Sequence, residues 1–269
     1  MTKPDAAAFL AAAKPPLVSG NTQWASAKAR EVADLLRRAS ARAPRSQQVH
    51  LGPSEIGVAC DRQIVGKLVR EAPTNHVSDP WPSIVGTAVH AWLAEVFAAD
   101  NPMRWLTERR VVPHPDHAGT ADLYDAQDFA VLDHKVLGET TMAKVRSANG
   151  PPRKYVAQLA LYGFGYLREG FRVDRVGVLA YPRTGSSLDG IYVWEHAMDA
   201  SMAELLAEVF SDMKRRRGMA AEIEAGQLRL EHVPTTPSQD ECFFCPFYRP
   251  SASVDGVGCD GKKTHLSAL

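Results

Sequence analysis

Residues 118–136 hold the side chains of this chain best suited to do chemistry. Gly119-Thr-Ala-Asp122 and Asp133-His134-Lys135 lie on either side of a polar turn running from Asp125 to Asp128, so the stretch reads as two strands of a hairpin. Phe129, Ala130, Val131 and Leu132 form an apolar run suited to a buried strand. That run leads directly into Asp133 and Lys135, which side-chain alternation places on one face. Burying an unpaired carboxylate or ammonium is costly, so such groups normally have a partner, often a metal. The hairpin would set Asp122 beside Asp133, and two acids and one lysine would then share a site.

The cysteines form a second group. Cys242-Phe-Phe-Cys245 has the two-residue gap that lets two thiolates bind one centre, Cys259 follows in the same loop-rich tail, and Cys60 is the remaining cysteine. No secretory signal core is evident, so a cytoplasmic location is expected, and with it metal ligands or inert thiols in preference to disulfides. No apolar run stands out as reaching the roughly 20 residues that cross a bilayer, so no membrane partner is expected. At 269 residues, 45% apolar and 23% charged, the composition is that of a globular protein with one sizeable core. Lys plus Arg equals Asp plus Glu at 31 each, so bulk charge does not point to nucleic acid. The basic run Lys214-Arg-Arg-Arg217 reads as a solvated helix face or a phosphate contact.

These groups need elements to position them. An Ala-rich start broken by Pro15-Pro16 predicts a short helix and linker, and residues 22–40 predict an amphipathic helix. Another helix is expected from Cys60, a proline-containing loop over 71–82, and a strongly patterned helix over 83–99 that carries Gly86 and His90 four residues apart. Three strands follow, at about 105–113, 117–124 and 129–136, suited to an antiparallel meander. A polar connection leads to Gly150, then a helix over 153–169, strands over 175–181 and 190–194, a helix over 197–225 and an aperiodic tail. Gln158 and Tyr162, spaced i and i+4, share one helix face.

In order along the chain, Gly86-Thr-Ala-Val-His90, Gly119-Thr-Ala-Asp122, Asp133-His134-Lys135 and Gln158-Leu-Ala-Leu-Tyr162 resemble the motifs of the PD-(D/E)XK nuclease superfamily, in its RecB-like branch. One cysteine before this core and three after it resembles the iron-sulfur exonucleases of that branch: the CRISPR-adaptation exonucleases, the AddB nuclease domain and phage relatives. The resemblance implies an α/β, restriction-endonuclease-like core with a mixed sheet flanked by helices. It also implies a helical cap and C-terminal tail joined by a four-cysteine metal cluster. Residues 1–50 would be a helical extension, 51–82 together with 226–269 the iron-sulfur cap, and 83–225 the nuclease core.

The same resemblance implies roles. His90, Asp122, Asp133 and the main-chain carbonyl of His134 would hold Mg²⁺ or Mn²⁺, so that the His134 side chain itself would matter little. Lys135 would orient or deprotonate the attacking water, and Gln158 and Tyr162 would support the site or the DNA backbone. Cys60, Cys242, Cys245 and Cys259 would hold a [4Fe-4S] cluster, with structural Zn²⁺ as the alternative. Thirteen residues lie between Cys245 and Cys259, a longer gap than in the CRISPR-linked members, which leaves open whether Cys259 is the fourth ligand. The implied activity is metal-dependent exonuclease action on single-stranded DNA or DNA ends, 5′-to-3′ by resemblance. A structure-specific endonuclease, the nuclease partner of a helicase or recombinase, and a catalytically silent DNA-binding protein are the alternatives. Arg62, Arg153, Lys154 and the 214–217 run are candidate phosphate contacts, and Glu108, on the preceding strand, is a candidate support behind the metal ligands.

Overall fold

The structure, a computed structural model, describes residues 23–43, 51–75, 79–252 and 257–264. Its backbone divides into two compact units, Met1–Gln47 and Gln48–Leu269. In the first, α1 (Gln23–Arg42) follows the predicted amphipathic pattern, and none of its residues is buried. The helix and linker expected over the first 20 residues lie outside the described residues.

The second unit is built on a sheet in the order β1-β2-β3-β4-β5, comprising Trp105–Val111, Gly119–Asp125, Ala130–Leu137, Arg175–Pro182 and Tyr192–Ala197. β1, β2 and β3 form the predicted antiparallel meander. β3 and β4 are parallel and β5 returns antiparallel, so the sheet is mixed and the fold is α/β. The turn between β2 and β3 is fixed by Asp125. Its carboxylate accepts from the backbone N–H of Gln127 at 2.9 Å and takes Arg104 in bidentate fashion at 2.9 and 2.7 Å.

Ahead of the sheet come α2 (Pro53–Ile56), α3 (Asp61–Leu68) and α4 (Trp81–Asp100). The parallel crossover from β3 to β4 carries α5 (Glu139–Arg146) and α6 (Arg153–Arg168), and α7 (Ala200–Glu224) follows β5. A short α8 (Gln239–Phe244) lies in the tail. Helix α6 is the buried spine, with Ala157, Leu159, Ala160, Leu161 and Tyr166 in the core. It lies so close to the sheet that a Cβ on Gly165 would stand 2.8 Å from that of Val111.

Two sequence expectations change. Residues 139–146, predicted as a polar connection, form α5, because Met142 and Val145 at i and i+3 both bury. Helix α4 is long and apolar enough, by length and composition, to cross a membrane, contrary to the reading that no such run exists. It lies along β1, β2 and β3 and buries Leu93, while Trp92 and Val96 remain exposed.

Candidate active site

The site occupies the place where two strands part. β2 and β3 pair only from Leu123↔Leu132 to Asp125↔Ala130, whereas β3 continues alongside β4 to Leu137. Beyond Leu132 the β3 backbone has lost its β2 neighbour, and its N–H groups need other acceptors. Asp122 supplies one: Oδ2 accepts from the backbone N–H of His134 at 2.8 Å. The carboxylate thus replaces a missing ladder bond and is held at the head of the gap.

Asp133 sits in that gap with 1% of its surface exposed; its Oδ2 is ion-paired to Lys135, and its Oδ1 has no hydrogen-bond partner. Burial pushes the Asp133 carboxyl up to about 6, against the pull of Lys135, and the charge of Asp122 adds to the rise. Burial works against the Lys135 ammonium, yet the charges of Asp133 and Asp122 outweigh it and hold its proton on more firmly than usual. Lys135 Nζ also donates to Gln158 Oε1 at 3.2 Å, and Gln158 Nε2 donates to Tyr162 Oη at 3.2 Å.

Helix α4 brings His90 Nδ1 to 3.5 Å from Asp122 Oδ1. Burial again opposes charge on both groups. The contact prevails, drawing the Asp122 carboxyl below its ordinary range and the His90 imidazole above its own. From the other side comes Glu108, which lies on β1 between the pairs Thr107↔Leu123 and Arg109↔Ala121 and hence across from Asp122. Its φ of 48° is left-handed, a conformation costing on the order of 1–3 kcal/mol for a residue with a side chain. Ligand atoms of His90, Glu108 and Asp122 all fall within 4.8 Å of one another.

The converging ligand atoms of His90, Glu108 and Asp122 suit a hard divalent cation, which takes mainly oxygen ligands; Asp133, with an unpartnered Oδ1, is not one of that converging group.

A scan of protein-family models finds no match, and no curated protein matches in sequence. Among solved structures, the alkaline exonuclease LHK-Exo from Laribacter hongkongensis aligns over 68% of this chain and 95% of its own, at 10% identity and a TM-score of 0.48. The same enzyme in complex with dAMP aligns at 13% identity and a TM-score of 0.45, covering 68% of this chain and 97% of that one. A phage-related exonuclease from Haemophilus somnus 129PT covers 62% of this chain and 82% of its own, at 10% identity and a TM-score of 0.44. Likeness at this level assigns no family, and the functional reading rests on the site itself.

His134 differs from expectation. Its ring is 1% exposed, stacks on Phe97 at 5.6 Å between centroids and meets Tyr181 Oη through Nδ1 at 3.2 Å. Burial drives its pKa down to about 4, so the ring is neutral. Its identity therefore matters to packing between α4 and the sheet, whatever its carbonyl does.

Several candidate phosphate contacts are engaged within the protein. Arg62 is buried and donates to the carbonyl oxygens of Val233 and Glu231 and to Thr264 Oγ1. Arg216, with 0% exposure, binds Asp61 at 2.8 Å and the carbonyl oxygens of Ile56 and Val58. Arg215 also pairs with Asp61, and Arg217 with Asp116. A buried guanidinium satisfied by backbone carbonyls is a structural tie, so Arg62 and Arg216 are engaged within the protein, while Lys214, Arg215 and Arg217 remain exposed. Arg153 donates to Gly57 O and to Glu208. Lys154 alone of these candidates lines the cleft that contains Lys135.

Sequence reasoning placed Glu108 only as a support behind the metal ligands, whereas its carboxylate lies among the converging donors. The available signal was register: with the meander predicted, Glu108 falls opposite Asp122. The four cysteines are free thiols, and all four line one small cavity. Burial raises the thiol pKa of Cys242 and pushes that of Cys245 up to about 11, with the charges of Cys60 and Cys259 adding to both.

Proposed function

We propose that this protein is a divalent-metal-dependent deoxyribonuclease of the PD-(D/E)XK type, acting as an exonuclease on single-stranded DNA or DNA ends in the cytoplasm. The observation that carries the reading is Asp133: a fully buried carboxylate beside Asp122, ion-paired to Lys135 through Oδ2 and with no partner on Oδ1. A buried acid left half satisfied beside a second carboxylate suits a cation site better than a plain structural ion pair.

Asp122 and Asp133, with His90, Glu108 and the main-chain carbonyl of His134, would hold Mg²⁺ or Mn²⁺. When bound, that ion supplies Lewis-acid charge to the phosphoryl oxygens and makes water a competent nucleophile at neutral pH. Lys135, kept protonated by the acids, orients the attacking water and offsets negative charge on the phosphoryl group. Gln158 fixes the position of the Lys135 amine, and Tyr162 fixes Gln158. The 5′-to-3′ direction follows from the sequence resemblance. Cys60, Cys242, Cys245 and Cys259 would hold a [4Fe-4S] cluster that ties the tail to α3, with structural Zn²⁺ as the competing occupant.

The test is an assay in Mn²⁺ on end-labelled linear and on circular DNA. Loss of label from an end with circles intact is expected, and cutting of circles would replace the exonuclease reading with an endonuclease one. No cleavage in Mg²⁺ or Mn²⁺ would sink both. Iron and zinc content of anaerobically purified protein decides the cysteine centre, and a colourless protein with stoichiometric zinc would overturn the cluster.

A further inference from the structure

Lys135 and Gln158 open onto a cleft of about 280 Å³ that also takes Lys67, Lys154, Tyr155, Glu241 and Phe244. Its volume lies near the lower end of the roughly 300–1,000 Å³ typical of ligand sites, which suits one extruded nucleotide unit and not a stacked duplex. Of the three lysines on its lining, Lys67 is ion-paired to Glu55 and Lys135 to Asp133, which leaves Lys154 as the lysine positioned to meet a phosphate, with Glu241 on the same lining. The far wall is helix α8, which has two working faces. Phe244 faces the cleft, Cys242 and Cys245 face the cysteine cavity, and Glu241 borders both. Asn75 Nδ2 holds the end of this turn through Phe243 O at 2.9 Å and Cys245 O at 2.8 Å.

Phe244 is 63% exposed, and the ring of Phe243 meets it edge-on at 5.0 Å between centroids. An exposed phenyl on an anchored helix at the mouth of a lysine-lined cleft matches the requirement of a single-strand site, in which bases stack on aromatic rings while cations track the backbone. We propose that Phe244 is a base-stacking platform that selects unpaired DNA at the cleft, and that the cysteine face of α8 holds it in place. This deepens the nuclease reading and rests on it for the identity of the polymer. Paired bases offer no free face to the ring, so the contact distinguishes frayed or single-stranded ends from duplex.

The test uses the full chain in EDTA, so that binding is measured without turnover, with a short oligodeoxynucleotide carrying 2-aminopurine near one end. Wild type should bind it and quench its fluorescence. Phe244→Ala should raise Kd about 5- to 160-fold, the range expected for one lost stack, and abolish the quench. Phe244→Trp should restore both, and Phe244→Leu should not. The exposure of Phe244 means that its truncation should leave the melting temperature unchanged, which is checked in parallel. Equal Kd for wild type and Phe244→Ala, rescue by Leu as complete as by Trp, or no single-strand binding by wild type would each overturn the proposal. Turnover in Mn²⁺ is scored separately: stacking without cleavage would reject the nuclease reading alone, and cleavage with an unchanged KM in Phe244→Ala would reject the platform alone.

Discussion

Gln158 Oε1 accepts from Lys135 Nζ at 3.2 Å, so an amide on helix α6 holds in place the ammonium that neutralises a buried acid on β3. Lys135→Ala should lower kcat by about 100-fold or more, the scale for losing one charge-stabilising donor. Gln158→Ala, which leaves the ammonium present but unguided, should cost less, about tenfold. The Lys135→Ala protein should still fold, because Asp133, already pushed up to about 6, takes a proton in its partner's absence. Single-turnover kinetics with thermal melts check both statements.

Asp133 makes metal-free stability depend on pH. Its folded-state pKa is raised above the usual carboxylate value, so the folded protein binds the proton more tightly than the unfolded chain. The penalty is absent below about pH 4, grows between about 4 and 6, and is fully present above. In chelator, Asp133→Asn should therefore flatten the change of melting temperature between about pH 4 and 6 that wild type shows. Mn²⁺ should raise the melting temperature of wild type and leave that of the variant unmoved. An equal response of both proteins to Mn²⁺ would remove Asp133 from the ligand set.

Glu108 separates ligation from strain. Glu108→Gln keeps the left-handed backbone and should weaken Mn²⁺ binding by about tenfold or more, read by calorimetry. Glu108→Gly should bind as weakly yet fold about 1 kcal/mol more stably, because glycine adopts φ of 48° without penalty. A Glu108→Gly protein less stable than wild type would show that the side chain contributes packing that outweighs the strain.

Asp61 and Arg216 tie α3 to α7. Burial acts to raise the Asp61 carboxyl, but Arg215 and Arg216 more than offset it and hold it below the usual range. Its contribution to stability is therefore present above pH of about 4 and lost as the pH falls through the lowered value. Arg216→Met should destabilise by roughly 3–5 kcal/mol, since it leaves Asp61 and the carbonyls of Ile56 and Val58 without their buried partner. Asp61→Asn should flatten the acid limb of the stability curve. Urea melts from pH 3 to 7 measure both effects.

The meander and the helices around His90 and Gln158 were legible in the sequence, because periodicity of two and of 3.6 is a local property and these positions obey it. Helix α5 was not, since its polar surface hides a short apolar stripe of Met142 and Val145 that acquires meaning only against a sheet. Nor was the fate of the basic run. Lys214-Arg-Arg-Arg217 carries the composition of a phosphate contact, and only the approach of Asp61 from 155 residues away turns Arg216 inward.

The residue types at the site and their order along the chain were thus settled by the sequence alone. The tertiary structure decided where the β2–β3 ladder ends, which is what leaves Asp133 Oδ1 without a partner and sets Asp122 on the His134 amide. It also placed Glu108 across from Asp122 and turned one face of α8 to the cleft and the other to the cysteines. Strand pairing and helix docking are non-local, set by which surfaces bury one another, and no window of sequence contains both partners.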